Sequence, residues 1–262
     1  MTDENASSKK GQIPTNLRLL LLLEEVGRMG VPVSPSKLAD ALKLPKPTVH
    51  RLLATAEAEG FLQRDVDGRS FGPGYRLRKL AASTLSSQRV RTERLIIMNA
   101  LAEEVGETCN LAAPGRYGMV YLDRVETHWP LQIKLPVGTQ VPFHCTASGK
   151  MYLSSLRADK LTRLLGGLKL ERYTRRTLTK QEALRRQLIE IAKRGYSSDN
   201  EEFMDGMVAI AVPIKDSEGR LLTTLSIHAP RQRHTVASLA EDLAGLLEAS
   251  RRMSDLIREE DA

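Results

Sequence analysis

Apolar positions in this chain change period along its length. In the first hundred residues they recur mostly at helical spacing, and from about Glu107 they alternate as strands do. The leucines from Leu19 to Leu23 predict a buried helix that starts near Asn16. The run stops at Glu24-Glu25, far short of the roughly 18–20 apolar residues of a membrane span. Ser34 followed by Pro35 marks a second helix start. Leu38, Ala39, Ala41 and Leu42 give that helix an apolar side, and Leu44-Pro45 ends it. A third helix opens with Pro47 at its first position. Its Val49, Leu52, Leu53 and Ala56 fall at i, i+3, i+4 and i+7, one buried face. Phe61 to Arg64 then reads as a strand, Asp67-Gly68 as a turn, and Arg69 to Phe71 as the returning strand.

Residues 14–75 therefore predict a winged helix-turn-helix, preceded by a polar tail (1–13) expected to be disordered. Residues 76–105 keep a helical period around a polar centre and predict a linker helix, whose apolar stripe can pack against a partner subunit. Strand patterns follow at 108–113, 118–125 and 131–135. Helical patterns occupy a segment starting near Thr146, then 158–165 and 180–194. Strands at 207–214 and 221–228 flank a turn at 216–219, and 236–257 is an amphipathic helix. The fold class is α+β, with a second domain over 106–262 in which helices cover a mostly antiparallel sheet.

Charge sharpens the first domain. The chain carries a net charge of +7, and residues 1–80 hold 13 Lys and Arg against 9 Asp and Glu, so over half of the excess lies in under a third of the chain. An anionic partner suits that distribution. With the third helix buried through Val49 and Leu53, its outward set is Lys46, Thr48, His50 and Arg51, a donor-rich group with no acid until Glu57. The start of a recognition helix is where base edges and phosphates are met. Arg64 and Arg69 flank the hairpin turn, within reach of phosphates or the minor groove. A solvated basic helix face and a plain surface hairpin are the competing readings.

Two cysteines, Cys109 and Cys145, are too few for a disulfide framework, and no leader pattern precedes Gly11. A cytoplasmic, membrane-free protein is the expectation.

The second domain carries VYLDRVE, VPFHCTASGK, RGYSSDNEEFMDGMVAIAVPIKD and LSIHAP in that order, behind the winged domain and linker. In order and spacing the chain resembles the IclR family of bacterial transcriptional regulators over roughly residues 14–258. The resemblance implies a GAF-like effector-binding domain, a homodimer or dimer of dimers, a palindromic double-stranded DNA operator, and control of catabolic genes as repressor, activator or both.

An effector site can be sketched from the residues. Thr146 is a plausible N-cap, and the amides of Ala147, Ser148 and Gly149 would then point out of a helix N-terminus, which favours a carboxylate. An ordinary capped helix is the plainer alternative. In relatives that sense glyoxylate or pyruvate, the resemblance adds an Asp, a Cys and two Ser. By position these are Asp199, Ala209, Ser226 and His228, so two match and two depart. A thiol has become a methyl and a hydroxyl an imidazole. The implied effector is a small organic acid larger than glyoxylate, aromatic or otherwise substituted. His228 has three open roles: donating to the ligand, pairing with Asp199 as an imidazolium, or bonding within the protein.

Asp199, His228, His144 and Cys145 are metal-capable types, but without the close spacing of a metal motif. Gly-x-Ser-x-Gly, phosphate-loop and zinc patterns are missing, and Ser226 and His228 lie two apart on one strand, unlike a nucleophile elbow. The chain is read as a ligand-responsive DNA-binding regulator with neither catalysis, metal nor cofactor.

Overall fold

The computed structural model describes residues 13–65, 67–85, 88–127, 129 and 135–260. They form two compact units, one running to Leu85 and the other from Ser86 onward. The expected disordered tail lies almost wholly outside the described residues, as does most of the expected strand 131–135.

The first unit is α1 (Arg18–Met29), α2 (Pro35–Leu42), α3 (Lys46–Ala58), β1 (Leu62–Arg64), β2 (Phe71–Pro73) and α4 (Tyr75–Leu85). The leucine run obeys the helical period: Leu22 is fully buried with Val26, while Leu20 points outward at 60% exposure. Pro35 opens α2, and Lys43 in the left-handed region closes it, its amide returning to Ala39 and Asp40 carbonyls. Lys46 rather than Pro47 is the first residue of α3, and Val49, Leu53 and Ala56 are its buried face. These meet Leu22, Val26, Leu38 and Ala39 in one core, which Leu62 and Phe71 extend under the hairpin. β1 and β2 pair antiparallel, and a bridge from Val33 to Phe71 adds a third short rung.

The second unit begins with α5 (Gln88–Val105). It continues through β3 (Thr108–Pro114), β4 (Met119–Val125), β5 (Gln140–Val141), α6 (Ala147–Ser154), α7 (Ala158–Gly167) and α8 (Gln181–Arg194). It ends with β6 (Ser197–Asn200), β7 (Met207–Lys215), β8 (Leu221–Pro230), α9 (Val236–Leu239), a 3-10 turn (Ala240–Asp242) and α10 (Leu243–Glu260). The strands form one antiparallel sheet in the order β5-β4-β3-β8-β7-β6.

One sheet face is strongly apolar. Val208, Ile210, Val212, Leu225 and Ile227 pack there with Ile97, Met98 and Leu101 of α5 and Leu246 and Met253 of α10. The other carries small and polar positions, with Ala209 and Ala211 beneath a layer from α6 and α8 that includes Ala147, Met151, Leu184 and Leu188.

Two expectations change. The stretch expected as one linker helix is two helices, and α5 is a core element of the second unit because Ile97, Met98, Leu101 and Ala102 are buried in it. The amphipathic run 236–257 is α9 and α10 separated by a 3-10 turn, tighter hydrogen bonding that is common near helix starts.

Leu53 touches the centre of the first core and is 1% exposed. Leu53→Ala is expected to destabilise the first unit by about 2–5 kcal/mol. Hydrogen exchange of the intact chain should accelerate in α1 to α3 and stay unchanged in β7 and β8.

Candidate nucleic-acid interface and candidate effector site

Helix α3 exposes Lys46, His50 and Arg51 and half-buries Thr48. The buried positions Val49 and Leu53 dictate this for His50 and Arg51, which they turn away from the core, while Lys46 is exposed as the first residue of the helix. The hairpin is more constrained than the sequence implies. Arg64 donates from Nε to Glu57 at 2.9 Å and from Nη1 to the Gly68 carbonyl at 3.1 Å, and its guanidinium lies 4.7 Å from the Phe71 ring centre. It is a brace between the hairpin and α3 rather than an unengaged donor. Asp67 organises the turn by accepting from the amides of Arg69 and Ser70, each at 2.8 Å. Those bonds hold its carboxyl below the usual range. Arg69 itself is exposed at the tip.

The second unit gathers polar groups on the α6 face of its sheet. Antiparallel register fixes which residues share that face. One row runs Asp199, Ala209, His228, Thr108, and the next runs Ser197, Ala211, Ser226, Asn110, Arg124. Asp199, Ser226 and Asn110 are each 0% exposed, and His228 is 7% exposed.

Helix α6 ends its N-terminus over these rows. Thr146 caps it, the hydroxyl accepting from the Gly149 amide at 3.1 Å while donating to the Pro142 carbonyl at 2.7 Å. The Gly149 amide is thus satisfied, so of the three expected amides those of Ala147 and Ser148 remain as the outward donors of the first turn. Gly149 has another task. A Cβ there would lie 2.4 Å from the Phe143 carbonyl oxygen, so only glycine lets the helix approach this backbone so closely. Ser148 donates to Ser226 at 3.4 Å, joining α6 to β8.

Asp199 sits opposite, at the end of β6. Its Oδ1 accepts from the Glu202 amide at 2.7 Å and the Phe203 amide at 3.4 Å, while the buried Oδ2 has no partner. Burial raises its carboxyl to about 7; Glu202 adds to the rise, while Lys150 opposes it. Sequence reading passed over Lys150. This fully buried lysine follows Gly149 in α6 and donates to Glu202 in a buried ion pair. Its signal was a lone cation in a segment of small and apolar residues, ASGKMYLS. Glu202 is itself held through its backbone, whose carbonyl accepts from Thr177 at 2.6 Å.

His228 does not pair with Asp199. Ala209 lies between them in the sheet register, and His228 Nε2 is instead 3.0 Å from Ser226 Oγ. Its ring meets Tyr121 edge-on at 6.1 Å. Burial, aided by the Arg124 charge, depresses its pKa to about 3, so the imidazole is neutral at physiological pH. The imidazolium role is therefore corrected. His144 bonds through Nε2 to the Glu171 carbonyl at 2.9 Å, and burial pushes the Cys145 thiol up. Among the described residues, no three His, Cys, Asp or Glu side chains converge as a metal site would require.

The arrangement can hold a carboxylate. The Ala147 and Ser148 amides, Lys150 and Asp199, whose carboxyl is raised to about 7, all belong to the layer between α6 and the sheet. A protonated carboxyl can donate a hydrogen bond, whereas a charged one would repel.

Residues 17–66 match the family model described as the IclR helix-turn-helix domain, and residues 82–255 match that described as bacterial transcriptional regulator IclR C-terminal. A probable transcriptional regulator SauR of Cupriavidus necator is 36% identical over 85% of this chain and 88% of its own length. The transcriptional repressor IclR of Escherichia coli is 30% identical over 93% and 90% respectively. An IclR homologue from Microbacterium hydrocarbonoxydans, solved in complex with 4-hydroxybenzoate, superposes with a TM-score of 0.60 at 27% identity, covering 92% of this chain and 98% of its own.

Asp199 makes stability pH-dependent in a defined direction. Its folded pKa, about 7, lies above the 3.8 of an unperturbed aspartate. The stability it contributes is full below pH 4 and is lost as pH rises through 7. Asp199→Asn keeps the acceptor for the Glu202 amide and cannot ionise. Its Tm is expected to equal that of the wild type below pH 4 and to exceed it by several degrees at pH 8, in paired thermal melts.

Proposed function

The chain belongs to the IclR family of bacterial transcriptional regulators, and on that premise we propose that it binds a palindromic operator as a dimer or dimer of dimers. Its second unit senses a small organic acid larger than glyoxylate, and its targets are catabolic genes. The observation that carries the sensing role is the buried polar face of the sheet under α6. There Asp199 Oδ2 is buried without a partner, on a domain that does not carry the helix-turn-helix. That group lost its water on folding, so an arriving ligand that bonds to it recovers a cost already incurred.

The carboxylate is received by the Ala147 and Ser148 amides, with Lys150 supplying charge and protonated Asp199 a donor. Ala209 leaves more room than a cysteine would. The neutral His228, tied to Ser226, forms a wall with Tyr121. A flat, partly apolar acid suits that combination, and the Microbacterium homologue that holds 4-hydroxybenzoate supports it.

At the other unit, Lys46, Thr48, His50 and Arg51 enter the major groove at the start of α3, and Arg69 reaches the backbone beside it. Effector and operator influence one another only if the acid prefers one arrangement of the dimer.

A thermal-shift screen of benzoate, 4-hydroxybenzoate and glyoxylate tests the sensing half. Stabilisation by the aromatic acids and little by glyoxylate is expected; strong stabilisation by glyoxylate alone would sink the reading. For the DNA half, Arg51→Ala should weaken binding to the gene's own upstream region about 5- to 150-fold in gel shifts. Its acid affinity should stay unchanged. Equal DNA affinity for variant and wild type refutes the role of Arg51.

A further inference from the structure

Asn110 is the buried polar residue of the chamber that no part of the carboxylate site uses. It lies on β3, between Ser226 of β8 and Arg124 of β4 in one row of the sheet. Arg124 Nη1 donates to its Oδ1 at 3.1 Å. A guanidinium can only donate, so the oxygen of the amide must face Arg124 and the nitrogen must face away. That nitrogen, Nδ2, is buried with no acceptor. Ser226 and His228 next to it do not fill the need, because they bond to one another and Ser226 bonds to the backbone carbonyl of Asn110.

We propose that Asn110 is a specificity-determining contact at a second polar subsite, where its Nδ2 receives a hydrogen-bond-accepting, preferably anionic, group at the end of the effector opposite its carboxylate. The effector is then a two-headed acid. The inference rests on the reading of the α6 start as a carboxylate site.

The subsite is separate from the first. Ser148 meets Ser226 on β8, and Asn110 is one strand further, a spacing of about 4.8 Å. A molecule lying across β8 can therefore reach both. The preference for an anionic head follows from the amide itself, because a hydrogen bond to a charged acceptor is stronger than one to a neutral acceptor. Arg124 is paired with Glu126, Nε to Oε1 at 2.8 Å, and its part is to orient the Asn110 amide.

Isothermal titration of the full chain with matched probes tests this: butyrate against succinate and benzoate against terephthalate. In at least one pair the two-headed acid should bind tenfold or more tightly than its one-headed partner. Asn110→Ala removes the donor without adding charge, so it should erase that advantage while leaving the one-headed affinity unchanged. Asn110→Asp keeps the acceptor for Arg124, removes the donor and adds a like charge, so it should erase the advantage and weaken the two-headed acid further. If the wild type binds both members of each pair equally, the second subsite is overturned while the carboxylate site stands. An advantage that survives both substitutions also overturns it. Binding of none of the four acids removes the carboxylate site and the inference together.

Discussion

The buried ion pair between Lys150 and Glu202 is the interaction around which the second unit is arranged. An ammonium that is fully out of water costs several kcal/mol unless its partner is held in place. Here the partner is held through its backbone. Asp199 accepts from the Glu202 amide, Thr177 donates to the Glu202 carbonyl, and Thr174 donates to the preceding Glu201 carbonyl at 2.6 Å. The pair thereby fastens α6 to the turn after β6, and both elements supply walls of the chamber. Its second consequence is electrostatic. Asp199 feels Glu202 as a repelling neighbour and Lys150 as an attracting one, and with burial dominant its carboxyl is raised to about 7, so it changes charge near neutral pH.

This chemistry is confined to one face of the sheet. The opposite face is packed by α5 and α10 through large aliphatic side chains. The α6 face has Ala209 and Ala211 packed beneath Ala147 and Met151, and glycine at 149 where bulk would lift α6 from the Phe143 backbone. Small residues therefore serve one purpose: they let a helix N-terminus lie close to the sheet.

Much of the fold was legible from periodicity, and the misses share a cause. Helix α3 was readable because Val49, Leu53 and Ala56 are apolar and spaced for one face. Strand β6, SSDN, was not read as a strand, because its inward residues are Ser197 and Asp199. A strand whose buried positions are polar shows no hydrophobic alternation. Lys150 was missed for the same reason, since a lysine in a helix is ordinarily a solvent-facing residue. Asn110 stands in an apolar strand and carries no motif; only the direction of the Arg124 bond shows that its nitrogen is left over. Arg64 was legible as a cation at the hairpin, but its ion pair with Glu57 depends on how the hairpin folds back on α3, which no local pattern records.

A ligand in the chamber must act on the helices of the opposite face if it is to alter anything beyond the chamber. Strand β4 offers a physical link. Arg124 faces the chamber side, and its neighbour Asp123 faces the other, where it is gripped by Arg91 of α5 at 2.9 Å and by the buried Arg94 of the same helix. Consecutive residues of a strand point to opposite faces, so a shift of β4 that improves one contact moves the other. Two charges near the start of α5 are therefore coupled to the sheet strand that positions Asn110. Close packing disfavours gradual deformation, so such a link transmits a change only if α5 has two discrete seats against Asp123. An acid that binds one seat more tightly than the other would bias α5, and an acid that binds both equally would shift nothing, however tightly it bound.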